Sequence, residues 1–434
     1  MKKLITYFLI FCCIPWAYSQ AGHIMQGVGA VNMSMGGAST AQPIDISGAL
    51  QWNPATITAF SEDQVRLDIG LFFSSPELRS TVPEIDSNGQ PTGNFFSGLT
   101  EDDRGVSPLP ALSYVTATEN GKHHFGISAF GISGFGVTFP ESTTNPINMP
   151  QAMGGFGRVE SDYSLLQMGV AYAYAINDQF SVGIQPTFNY ATLELWPNPT
   201  ASPTLAGYPR TDKASAFGFG GQIGLYFDSG KGFKAGTSYK TVQSFGEFEF
   251  ENTYLDGTTA TSTFTMDYPA IWSLGLGYSL GYVDLALDYR LVDYENTEGF
   301  EKKGWTPSAT VAGFGWKNIS IISAGLQYKY FKGVPIRLGY TYSSNPISSE
   351  MAFFNIPATA IIKNAFQLGV GVEVGEHFQL DGVFHMGFSG GETSGPIYSP
   401  QLISTYPPYG GVPGSEVSYK MNTSMVMVGA QYKW

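Results

Sequence analysis

Apolar and polar residues alternate one by one along most of the chain after residue 63. In the first such stretch, Arg66 and Asp68 stand between Val65, Leu67 and Ile69. Successive side chains of a β-strand point to opposite faces of the sheet. Each stretch with this period therefore predicts a strand with one apolar face and one face of polar residues and glycine. The clearest further examples are 283–291, 322–330 and 336–342.

Turn residues divide this alternating region into fourteen predicted strands. Short links such as Glu119-Asn120-Gly121 have the composition of tight turns, and they alternate with long links such as 75–106 and 390–417. Many of the segments exceed the length of about five or six residues that is usual for soluble strands. This pattern predicts an all-β fold, a transmembrane antiparallel β-barrel with short turns at one rim and long loops at the other. The predicted strands are 64–74, 107–118, 122–139, 162–177, 178–196, 213–229, 231–250, 261–280, 282–296, 308–331, 334–344, 362–374, 376–389 and 418–434.

The first residues have the features of a secretory signal peptide. Lys2 and Lys3 precede an apolar run, and Ala17-Tyr18-Ser19 is a cleavage site of the small-x-small type. The apolar run is shorter than the roughly 20 residues that a membrane-spanning helix requires. We therefore predict a signal peptide over 1–19, an N-terminal segment over 20–62 and a β-barrel over 63–434, placed in the outer membrane of a Gram-negative bacterium.

The segment 27–60 has no strand period and is rich in small polar residues. Asn53-Pro54-Ala55 predicts the start of a short helix, because Asn is a favoured N-cap and Pro suits the first helical position. Asp45 is placed to cap another turn over 47–50. A fourteen-stranded barrel leaves a lumen, and we predict that this segment is a hatch that plugs it. The alternative is a plain linker that follows the signal peptide.

The last predicted strand ends on an aromatic residue. Val426, Val428, Tyr432 and Trp434 share one face, which is similar to the C-terminal signal by which outer-membrane barrels are recognised for assembly. We therefore expect the barrel assembly machinery as a partner. Outer-membrane lipid would surround the apolar face, and lipopolysaccharide is a further expected partner, through a divalent ion shared with 101–103. The alternative for 101–103 is a solvated loop tip.

Composition and charge narrow the functional classes. Charged residues make up 13 % of the chain, aromatic residues 15 %, and the formal net charge is −13, which disfavours nucleic acid as a partner. His123 and His124 are adjacent on a predicted strand and would face opposite ways, so they do not predict a metal site. No motif of a nucleophilic hydrolase or a nucleotide-binding loop is present. We expect no enzyme, no metal and no cofactor.

Three stretches resemble one family of outer-membrane proteins. Gly36-Gly37-Ala38, Asp45 and Asn53-Pro54-Ala55 before the first strand resemble the hatch of the long-chain fatty acid transporter (FadL) family, which includes toluene-type hydrocarbon channels. FGISAFGISGFGVTFPES, from Phe125, is similar to that family's glycine-rich third strand. The stretch from Asn318 to Ile347 resembles its eleventh-strand region. The resemblance covers nearly the whole mature chain.

The resemblance implies a function and a mechanism. It implies a monomeric barrel that passively transports long-chain fatty acids or other hydrophobic molecules, without a cofactor. The ligand would be captured by the loops, pass a rearranged hatch and leave sideways through a kinked third strand. Glycine within a strand often marks a bulge or bend, and the lateral gate would lie at Gly131, Gly134, Phe135 and Gly136.

Candidate ligand contacts come from the hatch, the lumen and the loops. Cations facing the lumen are candidates for binding a fatty carboxylate, and the alternative is that they pair with lumen carboxylates such as Asp68, Asp284, Asp288 and Asp381. The apolar candidates are Met25, Met33 and Met35 in the hatch, Phe72 in the lumen, and Phe95, Phe96, Met149 and Phe156 in the loops. The cationic candidates are Arg66, Lys329 and Arg337.

Two other functions fit the same pattern of strands. Charged lumen residues would also suit a general porin for polar solutes with a mobile plug. Long loops such as 390–417 would suit an adhesin-type structural barrel that binds a surface partner. Ion conductance separates a porin from a transporter, and loss of adhesion on loop deletion identifies an adhesin.

Overall fold

Fourteen strands form one closed antiparallel sheet in the computed structural model, which describes residues 22–87, 90–205 and 207–434. Each strand pairs with its neighbours in the chain, and the last strand returns to the first, from Gln64 opposite Lys433 to Thr81 opposite Glu416. The predicted signal peptide, 1–19, lies outside the described residues. The barrel strands are β1 Gln64–Ile85, β2 Ser107–Ala117, β3 His123–Phe139, β4 Val159–Ala175, β5 Phe180–Trp196, β6 Ala214–Asp228, β7 Phe233–Lys240, β8 Ala270–Leu280, β9 Val283–Asp293, β10 Ile319–Tyr328, β11 Ile336–Ser343, β12 Asn364–Val374, β13 Phe378–Phe388 and β14 Glu416–Lys433.

The two faces of the strands are chemically opposite, as the alternation predicts. Leu67 and Ile69 are 61 % and 52 % exposed on the outer surface, whereas Arg66 and Asp68 are buried on the inner one. This is the arrangement of a barrel whose outer band faces lipid and whose interior is polar. At the rim where the chain ends, Trp434 stacks on Tyr114 with ring centroids 6.1 Å apart.

The number and order of the strands are confirmed, but four predicted strand ends are wrong. β1 continues to Ile85 and pairs with Pro91–Glu101 in a hairpin beyond the barrel wall. The segment Phe248–Thr253 pairs with Thr259–Phe264 in a separate small sheet, so β7 ends before 250 and β8 begins after 261. The tenth strand is also shorter than 308–331. In the hairpin that begins with Phe248–Thr253, apolar and polar residues alternate as they do in the barrel strands. The alternation alone therefore cannot distinguish a loop hairpin from a barrel strand.

Two short helices and a 3-10 helix lie inside the barrel. They are α1 Gly29–Ser34, α2 Ile46–Trp52 and the 3-10 helix Pro54–Ala59. Asp45 caps α2 by accepting the Gly48 N–H at 3.3 Å, and Asn53 caps the 3-10 helix by accepting the Ala55 N–H at 3.1 Å. Both caps agree with the sequence prediction.

The remaining elements lie outside the hatch and the barrel strands. None of the helices in the described part of the chain is both long and apolar enough to cross a membrane. The other 3-10 helices are Pro146–Asn148, Gln151–Met153, Ser349–Met351, Phe353–Ala358 and Pro400–Leu402, and the other short strands are Arg210–Thr211, Ser244–Phe245 and Thr393–Gly395.

Candidate functional site: the lateral opening and its pocket

Two carboxylates of the barrel wall hold the backbone of the hatch. Asp68 on β1 accepts the Ala30 N–H of α1 at 2.9 Å. Asp288 on β9 accepts the N–H groups of Ser39 and Thr40, each at 2.9 Å. These contacts satisfy backbone donors that would otherwise be buried without a partner. They attach the hatch at two separate sides of the lumen.

Glycine is required where the hatch turns at Gly36 and Gly37. Both have positive φ, 68° and 77°, a region that residues with a side chain rarely adopt. A Cβ on Gly37 would lie 1.7 Å from the Gln26 carbonyl oxygen. The Gly37 carbonyl accepts a hydrogen bond from Arg290 at 2.6 Å. The predicted Gly-Gly pair therefore forms a tight turn against the wall.

The three cations considered as carboxylate ligands are all in ion pairs. Arg66 contacts Asp68 at 2.7 Å and Asp381 at 2.8 Å. The other two pairs are Arg337 with Asp381 and Lys329 with Asp284, both at 2.7 Å. These cations therefore follow the alternative prediction, in which they pair with carboxylates of the lumen. A ligand carboxylate would have to compete with those protein carboxylates.

The barrel wall is interrupted between β2 and β3. Their pairing runs from Ala117 opposite His124 only as far as Ala111 opposite Phe130, whereas β3 continues to Phe139 against β4. A register shift in the β3–β4 pairing lies between Gly131 and Ser133, which marks a bulge where the strand bends. The second half of β3 therefore has an edge that β2 does not cover.

Two other parts of the chain contact this uncovered edge. From the hatch side, the Met25 N–H donates to the Ile132 carbonyl at 3.0 Å, and the Gly134 N–H donates to the His23 carbonyl at 3.1 Å. From the loop side, the Asp103 N–H donates to the Thr138 carbonyl at 2.8 Å. The edge is thus closed at its middle and at its outer end, with a space between.

A cavity of about 290 Å³ occupies that space. It reaches from buried interior side chains such as Met25 and Tyr163 to exposed residues of the outer face such as Pro108 and Ser164. The cavity therefore connects the lumen with the lipid-facing side of the wall. Its lining residues are Met25, Phe72, Ser74, Arg104, Val106, Ser107, Pro108, Leu109, Ser133, Gly134, Phe135, Gly136, Asp162, Tyr163, Ser164, Thr359, Ala360 and Met421.

The four predicted gate residues differ in whether they line the cavity and in how closely they are packed. Gly134, Phe135 and Gly136 line the cavity, whereas Gly131 precedes the bulge and does not. Phe135 is buried and stacks on Tyr163 with centroids 5.0 Å apart. A Cβ on Gly136 would lie 1.6 Å from the Arg104 Nη1 atom, but a Cβ on Gly131 would have no neighbour closer than 3.6 Å. Close packing thus requires glycine at position 136 but not at position 131.

An aromatic cluster holds the first described residues of the hatch. The His23 ring is buried, with the centroids of five aromatic rings within about 6 Å, and its Nδ1 atom is 2.8 Å from the Tyr294 hydroxyl. Burial lowers the pKa of His23 to about 3, so this imidazole is neutral near pH 7. The five rings are those of Tyr163, Tyr268, Tyr294, Phe300 and Trp316.

The apolar candidates of the hatch and the lumen fall into two clusters. Met25 and Phe72 line the cavity at the wall, and Met33 packs in the same apolar cluster. Met35 lies in another cluster, with Ala38 and Ala286. The structure therefore brings Met25 and Met33 together but places Met35 elsewhere.

The candidate ligand contacts in the loops likewise lie in two different places. Met149 and Phe156 line a second cavity of about 390 Å³ among the long loops, together with Trp305. Phe95 and Phe96 lie on the exposed loop hairpin and line neither of these two cavities.

Sequence reasoning missed two features of the opening. Pro108 and Pro110 lie on β2 where its pairing with β3 stops. Proline lacks an N–H donor and is confined to strand edges or bulges, so this pair was an available signal for an unpaired edge. Arg104 was also missed, because nothing near it in sequence marks its distant partner Asp162.

A family model identifies the family, and solved structures share the fold. A family model described as "Outer membrane protein transport protein (OMPP1/FadL/TodX)" matches residues 12–432. The chain is similar in structure to the toluene transporter TodX of P. putida (TM-score 0.68, 15 % identity, 94 % of this chain and 99 % of that one). A FadL homologue of Pseudomonas aeruginosa (TM-score 0.72, 14 % identity, 95 % and 99 %) is also similar. So is the toluene transporter TbuX of Ralstonia pickettii (TM-score 0.64, 16 % identity, 94 % and 99 %). No curated protein sequence matches the chain.

Proposed function

This chain belongs to the outer-membrane transport protein family of FadL and TodX, and we propose that its substrates are long-chain fatty acids. The family's role, outer-membrane transport of hydrophobic molecules, applies to this chain. The proposal adds the substrate class and the route. Transport is passive, and the substrate leaves the barrel sideways into the membrane.

The observation that carries the proposal is the cavity at the interrupted wall. In lipid, an unsatisfied backbone group costs several kcal/mol, so a sheet edge is tolerated at membrane depth only where it lines a cavity or is covered by protein. Here the edge of β3 lines a mostly apolar cavity that reaches the outer face. An acyl chain entering it would avoid water on its way to the bilayer.

The route has three steps. A hydrophobic molecule first binds in the loop cavity beside Met149 and Phe156. The hatch segment at His23 to Met25 then leaves the edge of β3, which enlarges the wall cavity. The molecule finally passes between β2 and β3 into the membrane. The first step removes apolar surface from water, which supplies the driving force, and the later steps move that surface between apolar environments.

Monoaromatic hydrocarbons are the second candidate substrates. The wall cavity, about 290 Å³, is at the small end of the roughly 300–1,000 Å³ that is usual for small-molecule sites. The lumen cations Arg66, Arg337 and Lys329 are all paired, which favours a neutral ligand in the lumen. TodX and TbuX, to which this chain is similar in fold, are toluene transporters.

Uptake by whole cells tests the proposal and separates the two candidates. Cells with and without the gene are given labelled oleate or labelled toluene, with a general porin as the control for outer-membrane permeability. Faster oleate uptake in cells carrying the gene supports fatty acids as substrates. Faster toluene uptake alone supports the second candidate. If cells with the gene and cells without it take up oleate at the same rate, and toluene at the same rate, the proposal that the protein transports these substrates is overturned.

A further inference from the structure

We infer that Arg104 binds the carboxylate of an anionic hydrophobic ligand at the lateral opening. The inference rests on the proposed function, since it assumes that the wall cavity receives the substrate. It adds a headgroup site at one end of that cavity. Ligands with a long apolar chain and a single carboxylate fit this arrangement.

Arg104 is placed at the boundary between the lumen and the lipid face. Among the described residues that line the wall cavity, it is the only cation and Asp162 is the only anion. Its side chain is 18 % exposed, so it is neither sealed in the core nor fully in water. The remaining lining is mostly apolar, with Met25, Phe72 and Met421 deeper in the barrel. A carboxylate at Arg104 would therefore leave its tail among apolar side chains.

The guanidinium is held between β3 and β4 by two hydrogen bonds and a close approach to Gly136. Its Nη1 atom donates to the Ser161 carbonyl at 2.7 Å, and its Nη2 atom donates to Asp162 at 2.7 Å. The absence of a side chain at Gly136 makes room for it, since a Cβ there would collide with Nη1. The planar guanidinium fork suits a carboxylate better than a lysine ammonium does.

Asp162 has a second cation, which allows Arg104 to change partners. The Lys213 Nζ atom lies 2.5 Å from the other oxygen of the same carboxylate. When Arg104 turns toward a ligand carboxylate, Lys213 still neutralises the half-buried Asp162 carboxylate. By contrast, the lumen arginines Arg66 and Arg337 are fully buried and do not line this cavity.

The test compares two ligands that share a tail and differ in the headgroup. Binding of oleate and of oleyl alcohol to the purified full chain in detergent is measured at alkaline pH, where the acid is ionised. The variants are Arg104→Gln, which removes the charge, and Arg104→Lys, which keeps it without the fork. Arg79→Gln is the matched control, because Arg79 is exposed on β1 and does not line the cavity.

Arg104→Gln is expected to weaken oleate binding by about tenfold or more, the usual effect of losing a charge-assisted hydrogen bond. Oleyl alcohol binding should change by less than about twofold, and Arg104→Lys should be intermediate for oleate. Lys213→Gln is also expected to weaken the binding of oleate but not of oleyl alcohol. Without Lys213, Asp162 has only Arg104 as a partner, so Arg104 is less free to bind the ligand carboxylate. Arg79→Gln should leave both ligands unaffected.

Equal weakening of both ligands by Arg104→Gln would mean that Arg104 only supports the wall, and the inference would be overturned. No change for oleate would overturn it too. If the unmodified protein binds neither ligand, the proposed function fails rather than the inference. Heat-modifiable migration on gels reports barrel folding. Should Arg104→Gln fail to fold, the ratio of oleate affinity to oleyl alcohol affinity is compared among Arg104→Lys, Lys213→Gln and the unmodified protein. A lower ratio in both variants supports the inference, and an unchanged ratio overturns it.

Discussion

Ile24 of the hatch and Ser133 of β3 lie opposite each other as an isolated antiparallel bridge. Hydrogen bonds flank the pair on both sides, Met25 to Ile132 at 3.0 Å and Gly134 to His23 at 3.1 Å. The hatch therefore takes the place of β2 at the point where β2 leaves β3. This contact links the plug of the lumen directly to the opening in the wall.

A disulfide across this bridge should stop transport reversibly. Ile24 and Ser133 form a non-hydrogen-bonded pair, whose Cα atoms are typically about 4.5 Å apart, within the range that a disulfide spans. Oxidised Ile24→Cys/Ser133→Cys is expected to lose oleate uptake, and reduction should restore it. The mature chain has no cysteine of its own if the predicted signal is removed, since Cys12 and Cys13 lie in it. Unchanged uptake by the oxidised double variant, with single variants as controls, would refute hatch movement at β3.

Substitution of two glycines on the same strand should have unequal effects. Gly136→Ala places a methyl group on the Arg104 guanidinium, whereas Gly131→Ala finds ordinary contact distances. Neither glycine has a positive φ, so backbone strain does not distinguish them. We expect Gly136→Ala to change oleate uptake severalfold and Gly131→Ala to leave it within about twofold, consistent with ordinary surface substitutions. Similar uptake by the two variants would contradict the packing argument.

Removal of the hatch should convert the barrel into a leaky pore. Deletion of 27–60 takes away α1, α2 and the whole 3-10 helix, and all residues of α1 and α2 and the first four of the 3-10 helix are buried in the lumen. We expect the deleted protein to carry a steady ion current in planar bilayers, while the full chain carries little. A large current from the full chain would instead favour a porin. A silent deletion variant would show that the hatch does not seal the lumen.

The hatch should be more stable in mild acid, through Asp45. Burial raises the pKa of Asp45 to about 6 from 3.8, with the charge of Arg66 opposing the shift. A raised pKa means that the folded state binds the proton more tightly. The stabilisation is thus complete below about pH 4 and is lost as the pH rises through 6, by up to about 3 kcal/mol.

Urea unfolding at pH 4 to 7 measures this contribution. The difference in unfolding free energy between the unmodified protein and Asp45→Asn should change with pH across that window, because asparagine does not titrate there. Asp256→Asn, in an exposed loop, is the control: hydrogen bonds from Thr258 lower the pKa of Asp256, so its contribution to stability should not decrease as the pH rises. Parallel pH profiles for the unmodified protein and Asp45→Asn would rule Asp45 out as the source.

Several features were predictable because they depend only on near neighbours in the chain. The opposite exposure of Arg66 and Leu67 follows from the two-residue period of a strand. The caps at Asp45 and Asn53 follow from the preference of these side chains for helix N-termini. Strand ends were less predictable, since Phe248–Thr253 alternates like a barrel strand and yet pairs in a loop sheet.

The sequence by itself determined that the chain forms a barrel with a polar interior, an apolar exterior and helices before the first strand. Only the tertiary structure decided where the wall opens, because that depends on the register between strands. The glycines of β3 and the prolines of β2 mark possible bends and edges, but the bulge at Gly131 to Ser133 and the end of β2–β3 pairing are fixed only when the strands pair. The pairing of Arg104 with Asp162 likewise joins residues far apart in sequence. Long-range contacts of this kind form only when the barrel closes, so they cannot be predicted from the local pattern of apolar and polar residues.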